Sequence, residues 1–260
     1  MTASERTFLA VSALLFAASA AATIIGGMSM SAMGGIPMPG GWTVSAVWMR
    51  MPGQSWPSAA ASFLGMWIVM MMAMMLPSLV PMLRRYRRIV AGTGETRLGR
   101  LTALVGGGYF FVWTVFGMAA FPLGAVLAAA GMQHPALVRV VPMAVGMVVL
   151  AAGALQFTAW KQYYLACCRG TMDHGPALPA GAGTAWRHGV RLGLHCAYCC
   201  TGPMAILLAV GVMDLRVMAV VTAAIAIERL APAGERAARA IGAIAVAAGL
   251  LLIVQAAGLG

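Results

Sequence analysis

Between positions 193 and 203 the chain reads Gly-Leu-His-Cys-Ala-Tyr-Cys-Cys-Thr-Gly-Pro, which puts His195, Cys196, Cys199 and Cys200 within six residues. Thiolates and an imidazole at such density are a ligand set for Cu(I) or, second, Zn(II). The surrounding stretch is apolar enough to cross a bilayer. Nothing in hydrocarbon solvates an ionisable side chain, so one found there marks a functional site by default. At helical spacing Cys196 shares a face with Cys199 and Cys200, and His195 neighbours Cys199 in the same way. One turn is a cramped source for a full tetrahedron, so a second helix is expected to complete the shell. Pro203 lacks the amide that would bond the Cys199 carbonyl, which predicts an open or kinked turn. The bland alternative is that these cysteines are small buried hydrophobes.

The second helix is suggested by Met66-Trp67-Ile-Val-Met70-Met71-Met72-Ala-Met74-Met75-Leu-Pro77, in which six of the first ten residues are methionine. Met66, Met70 and Met74 form one stripe and Met71 and Met75 a second beside it. Counted at about 1.5 Å per residue, Met74 and Met75 lie roughly 14–15 Å from Arg84, and the cysteines roughly 12–18 Å from His188. The two sets are at matching depth. Thioethers favour Cu(I), although methionine also serves as an ordinary gap-filler. Glu228, directly before Arg229, reads either as an interfacial charge paired with Arg229 or as a counter-charge, hydrogen-bond partner or transient ligand of the site. Cys167 and Cys168 read as a cytosol-facing thiol pair. Ordered by depth, Cys167/Cys168, the cysteine turn, Met74, Met70 and Met66 trace a soft-ion path. It leads to Met28, Met30, Met33, Met38, Met49 and Met51 in an outer loop.

The elements that must position these groups are membrane helices. Of 260 residues, 62% are hydrophobic and 9% charged, well above the roughly 45–50% apolar share of soluble domains. The expected fold is all-α: a single transmembrane domain over 1–260, a polytopic helix bundle with about seven spans near 7–26, 59–82, 103–130, 140–160, 189–213, 217–231 and 239–257. The third span has a possible kink at Pro122. The Met-rich loop 27–58 would lie outside, and the basic loops 83–102 and 161–188 inside. Of 17 Lys and Arg residues, all but Arg50, Arg139 and Arg216 then fall on the cytoplasmic side, which gives an N-in, C-out topology. The positive charge reports topology rather than nucleic-acid binding. Residues 7–26 also have signal-peptide features, and their removal would leave six spans. Five cysteines, an odd number on the inner side or in the membrane, do not suggest a disulfide framework.

No phosphate-binding loop, no Ser/His/Asp set and no paired intramembrane carboxylates are evident, and the order His-then-Cys excludes c-type haem attachment. The chain is therefore not expected to be an enzyme. The 67–81 segment, the His-Cys-x-x-Cys-Cys turn with Met204, and the Glu228-Arg-Leu-Ala-Pro232 end resemble a bacterial domain-of-unknown-function family of predicted metal-binding integral membrane proteins. The resemblance runs from about residue 60 onward and implies motif roles for Met70, Met74, Met75, Pro77, Cys196, Cys199, Cys200 and Glu228. Thr201 and Tyr164 stand where relatives often carry Trp and Cys.

The first functional expectation is an integral protein of the bacterial inner membrane, in contact with lipid, that binds Cu(I). It would store, pass or insert the ion for a membrane copper enzyme such as an oxidase or monooxygenase, as an accessory subunit of that complex. The alternatives are a thiol-redox protein using Cys196 and Cys199, or a structural assembly subunit without metal.

Overall fold

The computed structural model describes residues 2–32, 36–37, 43–44, 48, 50, 53–91, 97–133, 135–170 and 181–258. Among them run nine helices: α1 (Ala3–Ala32), α2 (Trp56–Ala91), α3 (Leu98–Gln133), α4 (Pro135–Leu155), α5 (Ala159–Arg169), α6 (Ala182–Cys199), α7 (Thr201–Val210), α8 (Leu215–Leu230) and α9 (Gly234–Ala256). One antiparallel pair of two-residue strands, β1 (Ile36–Pro37) and β2 (Thr43–Val44), joins Ile36 to Val44 and Pro37 to Thr43. The fold is helical because uninterrupted apolar runs leave the backbone no partners other than its own.

Four helices, α1, α2, α3 and α9, are long and apolar enough to cross a membrane. Two further crossings expected as single helices are bent pairs: α4 with α5 at 67° and α6 with α7 at 63°. The first breaks at Gln156–Thr158, where Thr158 caps α5 by accepting from the Lys161 amide. The second breaks at Cys200. Counting each pair once gives six spans by length and composition. The span expected over 217–231 is α8, whose 16 residues reach only about 24 Å, less than the ~30 Å hydrocarbon core. α3 runs unbroken through Pro122.

The loops are shorter than expected because the helices continue into them. α1 extends to Ala32, so Met28 and Met30 are helical, and α2 carries the 84–88 basic cluster on its last turns. Residues 161–169 and 182–188, expected as loop, belong to α5 and α6. Met33, Met38, Met49, Met51, His134 and His174 lie outside the described residues.

Close helix approach uses glycine where a side chain would meet backbone. At the α3–α6 contact, a Cβ on Gly108 would stand 2.6 Å from the Trp186 carbonyl oxygen, and one on Gly189 would stand 2.9 Å from the Val105 Cα. In α4 against α9, a Cβ on Gly153 would be 2.7 Å from the Val246 amide nitrogen. Without a hydrophobic drive between helices in lipid, such backbone proximity is what dispersion packing requires. The outer surface stays apolar, with Leu14, Ile25, Leu123, Val126, Val220 and Ile244 exposed. This exterior and the long apolar helices are consistent with a multi-pass membrane protein.

Polar contacts gather at one end. Arg84 bonds Glu5 at 2.7 Å and Arg87 bonds the Ser4 hydroxyl at 2.7 Å. Arg85 donates to the Gly170 carbonyl. Arg169 donates to the carbonyls of Glu228, Arg229 and Pro232. The start of α1 and the ends of α2, α5 and α8 therefore meet. At the far end Gly27 packs on Leu215 at the start of α8, so α8 runs alongside α1 and α2 between the two ends.

Gly189→Leu is expected to push α3 from α6 and to cost at least the ~1–3 kcal/mol typical of overpacking, seen as a lower thermal midpoint in detergent. Gly183→Ala on the same helix, where a Cβ meets nothing within 4 Å, should leave the midpoint unchanged or raised.

Candidate metal centre

The cysteine turn lies at the α6–α7 bend, and the bend follows from one missing amide. Pro203 cannot bond the Cys199 carbonyl, whereas the flanking bonds persist: Cys200 N to Cys196 O at 2.8 Å and Met204 N to Cys200 O at 2.9 Å. The freed Cys199 oxygen accepts instead from the Lys161 ammonium at 2.7 Å. A buried carbonyl must find some donor, and here α5 supplies it.

Cys196 is fully buried and meets Met75 of α2, as the depth count expects. Its Sγ lies 3.9 Å from Met75 Sδ and 3.9 Å from Cys200 Sγ. It is also 2.9 Å from the Tyr109 hydroxyl on α3. Three sulfurs held at the ~2.3 Å of a metal–thiolate bond stand about 3.8–4.0 Å apart. The two separations around Cys196 are compatible with that edge. Among the described residues no three His, Cys, Asp or Glu side chains form a metal-holding group. The convergent set is mixed, two thiols and one thioether, and such softness suits a monovalent soft ion better than zinc.

Cys199 sits apart in a smaller apolar cluster with Leu165, Cys168 and Ala238, in interaction range of Cys168 and Cys200. Cys167 is half-buried and Cys168 buried; both are helical rather than in a loop. Met70, Met71 and Met74 are buried in the same core as Cys196 and Cys200. Met66 is only partly buried, farther along α2. His195 is half-buried, with its ring 5.9 Å from that of Tyr164, and it shares α6 with Cys199 at the expected i, i+4 spacing.

The charged partners are those that sequence reasoning missed. Glu228 does not pair with Arg229. It accepts from Lys161 Nζ at 2.6 Å and from Gln156 Nε2 at 2.6 Å, with both ends of the salt bridge almost wholly buried. Arg229 is buried, donates to Cys168 Sγ at 2.9 Å, and holds Nε and Nη1 without a hydrogen-bond partner among the described residues. Its guanidinium is in electrostatic range of Cys168, Cys196, Cys200 and Tyr109. Lys161 and Arg229 were counted as cytoplasmic topology markers. The available signals were that Lys161 is the only lysine in the chain and that it falls at the end of an apolar run. Met204, buried one turn beyond Cys200 in the same core, was legible from its spacing.

Long apolar helices enclosing a thiol–thioether contact put the chain among helical bundles of membrane character whose core suits a soft metal ion. Residues 64–252 match the model of the PpoB2 family, described as copper chaperone, and the chain belongs to that family. Neither a curated protein nor a solved structure matches it.

Removing one end of the buried pair strands the other. Lys161→Met and Glu228→Gln are each expected to lower stability by about 3–5 kcal/mol, and the double variant to recover part of that loss. Unfolding in detergent, read as a double-mutant cycle, checks it.

Proposed function

We propose that the protein binds Cu(I) between α2 and the α6–α7 bend, with Cys196, Cys200 and Met75 as ligands. Cys199, Met70, Met74 and Met204 are placed to take the ion on or off. The observation that carries this reading is the pair of 3.9 Å sulfur separations around Cys196, in a member of a copper chaperone family. The ion is cargo, handled without a covalent or redox step on substrate. Charge supports the monovalent ion. Lys161 and Glu228 neutralise one another, which leaves Arg229 as a buried cation, and a buried charge needs a counter-charge nearby. Two thiolates around Cu(I) carry one net negative charge and supply it. Tyr109 is positioned to donate to the Cys196 sulfur and so to orient it.

On this reading the protein is a multi-pass protein of the bacterial inner membrane, N-terminus inside, with α8 as a short seventh crossing. Its destination is a membrane copper enzyme such as an oxidase or monooxygenase, which it serves as an accessory subunit. The meeting of Arg84, Arg85, Arg87 and Arg169 at one end of the bundle supports that orientation, because such charges stay cytoplasmic.

Protein purified anaerobically and loaded with Cu(I) is expected to hold the ion in an all-sulfur environment by X-ray absorption. Cys196→Ser or Cys200→Ser should remove the tight, thiolate-bound equivalent, and Met75→Leu should weaken it tenfold or more. Wild type that takes zinc in place of copper, or neither, would overturn the reading. Pro203→Ala, which restores the amide facing the Cys199 carbonyl, should straighten the turn and lower copper affinity while the protein still folds.

A further inference from the structure

A cavity of about 410 Å³ is lined by residues of α1, α2, α8 and the turn before α8, with Met70 in its wall. Its wall holds Met30 of α1, Met66 and Met70 of α2, Met213 of the turn before α8, and Met218 of α8. Thr23 and Ser29 add the only side-chain hydroxyls of that wall. Methionine in a core ordinarily fills gaps, because its unbranched chain adapts to irregular space. Here five methionines from three helices and a turn surround space they leave open. Gly26 and Gly65 widen it further, since a Cβ on either would meet nothing within 4 Å. All five also pack in or against the buried core, so the opening lies at its margin with methionine side chains around it.

A set of neutral thioethers binds Cu(I) in preference to harder ions, and more weakly than thiolates do. Met70 belongs both to this wall and to the buried core that holds Cys196 and Cys200. From Met66 to Met75 the rise along α2 is about 14 Å, and the stripe Met66, Met70, Met74 covers that interval in steps of one helical turn. A Cu(I) ion handed along this stripe would exchange one Cu–thioether bond for the next until a thiolate took it. No electron changes hands.

We propose that the cavity lined by Met30, Met66, Met213 and Met218 is a second, weaker Cu(I) site that loads the cysteine site through Met70 and Met74. The cargo rests on the copper reading above, and the test separates the two. Full-length protein in detergent is titrated anaerobically with Cu(I) against a colorimetric Cu(I) chelator. Wild type is expected to bind two equivalents, the second at least tenfold weaker. Met66→Leu/Met213→Leu/Met218→Leu, which keeps side-chain volume and leaves Met70 alone, should lose only the weak equivalent. Cys196→Ser/Cys200→Ser should lose only the tight one.

In selenomethionine-labelled Cys196→Ser/Cys200→Ser protein loaded with one equivalent, Cu–Se scattering is expected, and adding the three leucines should remove it. Two equivalents retained by the triple-leucine protein, or no Cu–Se scattering, would overturn the proposal; so would a cavity occupied by a co-purified lipid chain that Cu(I) does not displace. A wild type with a single equivalent, abolished by the cysteine substitutions, would overturn the second site alone. A wild type with none would overturn both.

Discussion

The site depends on an absent amide hydrogen. Because Pro203 cannot close the helical bond to Cys199, α6 stops at that residue and α7 leaves at an angle. The orphaned carbonyl is then met by the Lys161 ammonium. A lysine at that depth is tolerable only with a carboxylate partner, which Glu228 provides, and Glu228 in turn is held by Gln156. Removing the proline from this chain of dependence would remove the reason for each of the others. The cysteines part company near the same bend: Cys196 meets Met75 of α2 with Cys200 beside it, and Cys199 clusters with Leu165 and Cys168 of α5.

Electrostatics then narrow what the core accepts. In a medium that solvates ions poorly, every buried charge demands a nearby answer, and the energetic penalty for an unanswered one is several kcal/mol. Lys161 and Glu228 answer each other. Arg229 is answered by sulfur and phenol groups rather than by a carboxylate. The core thus holds the Arg229 guanidinium against the Cys168 sulfur and within electrostatic range of Cys196, Cys200 and Tyr109.

Much of this was readable from spacing. The apolar runs located all the long helices, the cysteine and methionine periodicities put Met75 level with Cys196, and Pro203 marked the bend. What spacing cannot supply is rotation about a helix axis relative to distant neighbours. The ring of His195, one residue from Cys196, lies near that of Tyr164 on α5, a neighbour that spacing along α6 alone does not name. Lys161 and Arg229 stand next to apolar runs, and spacing gives no sign that Lys161 meets Glu228 or that Arg229 meets Cys168. The break at Gln156–Thr158, which carries no proline or glycine, had no sequence signal of the kind that betrayed the second.

The two bent helix pairs are tied together. Lys161 begins the second arm of one bent pair, three residues past its break, while the carbonyl it grips belongs to the break of the other. A single ammonium group therefore acts as a tie-rod between two joints. Through it the Cys199 carbonyl and the start of α5 near Thr158 are positioned together. Arg169, at the far end of α5, is clasped to the end of α8, so α5 is held at both of its ends.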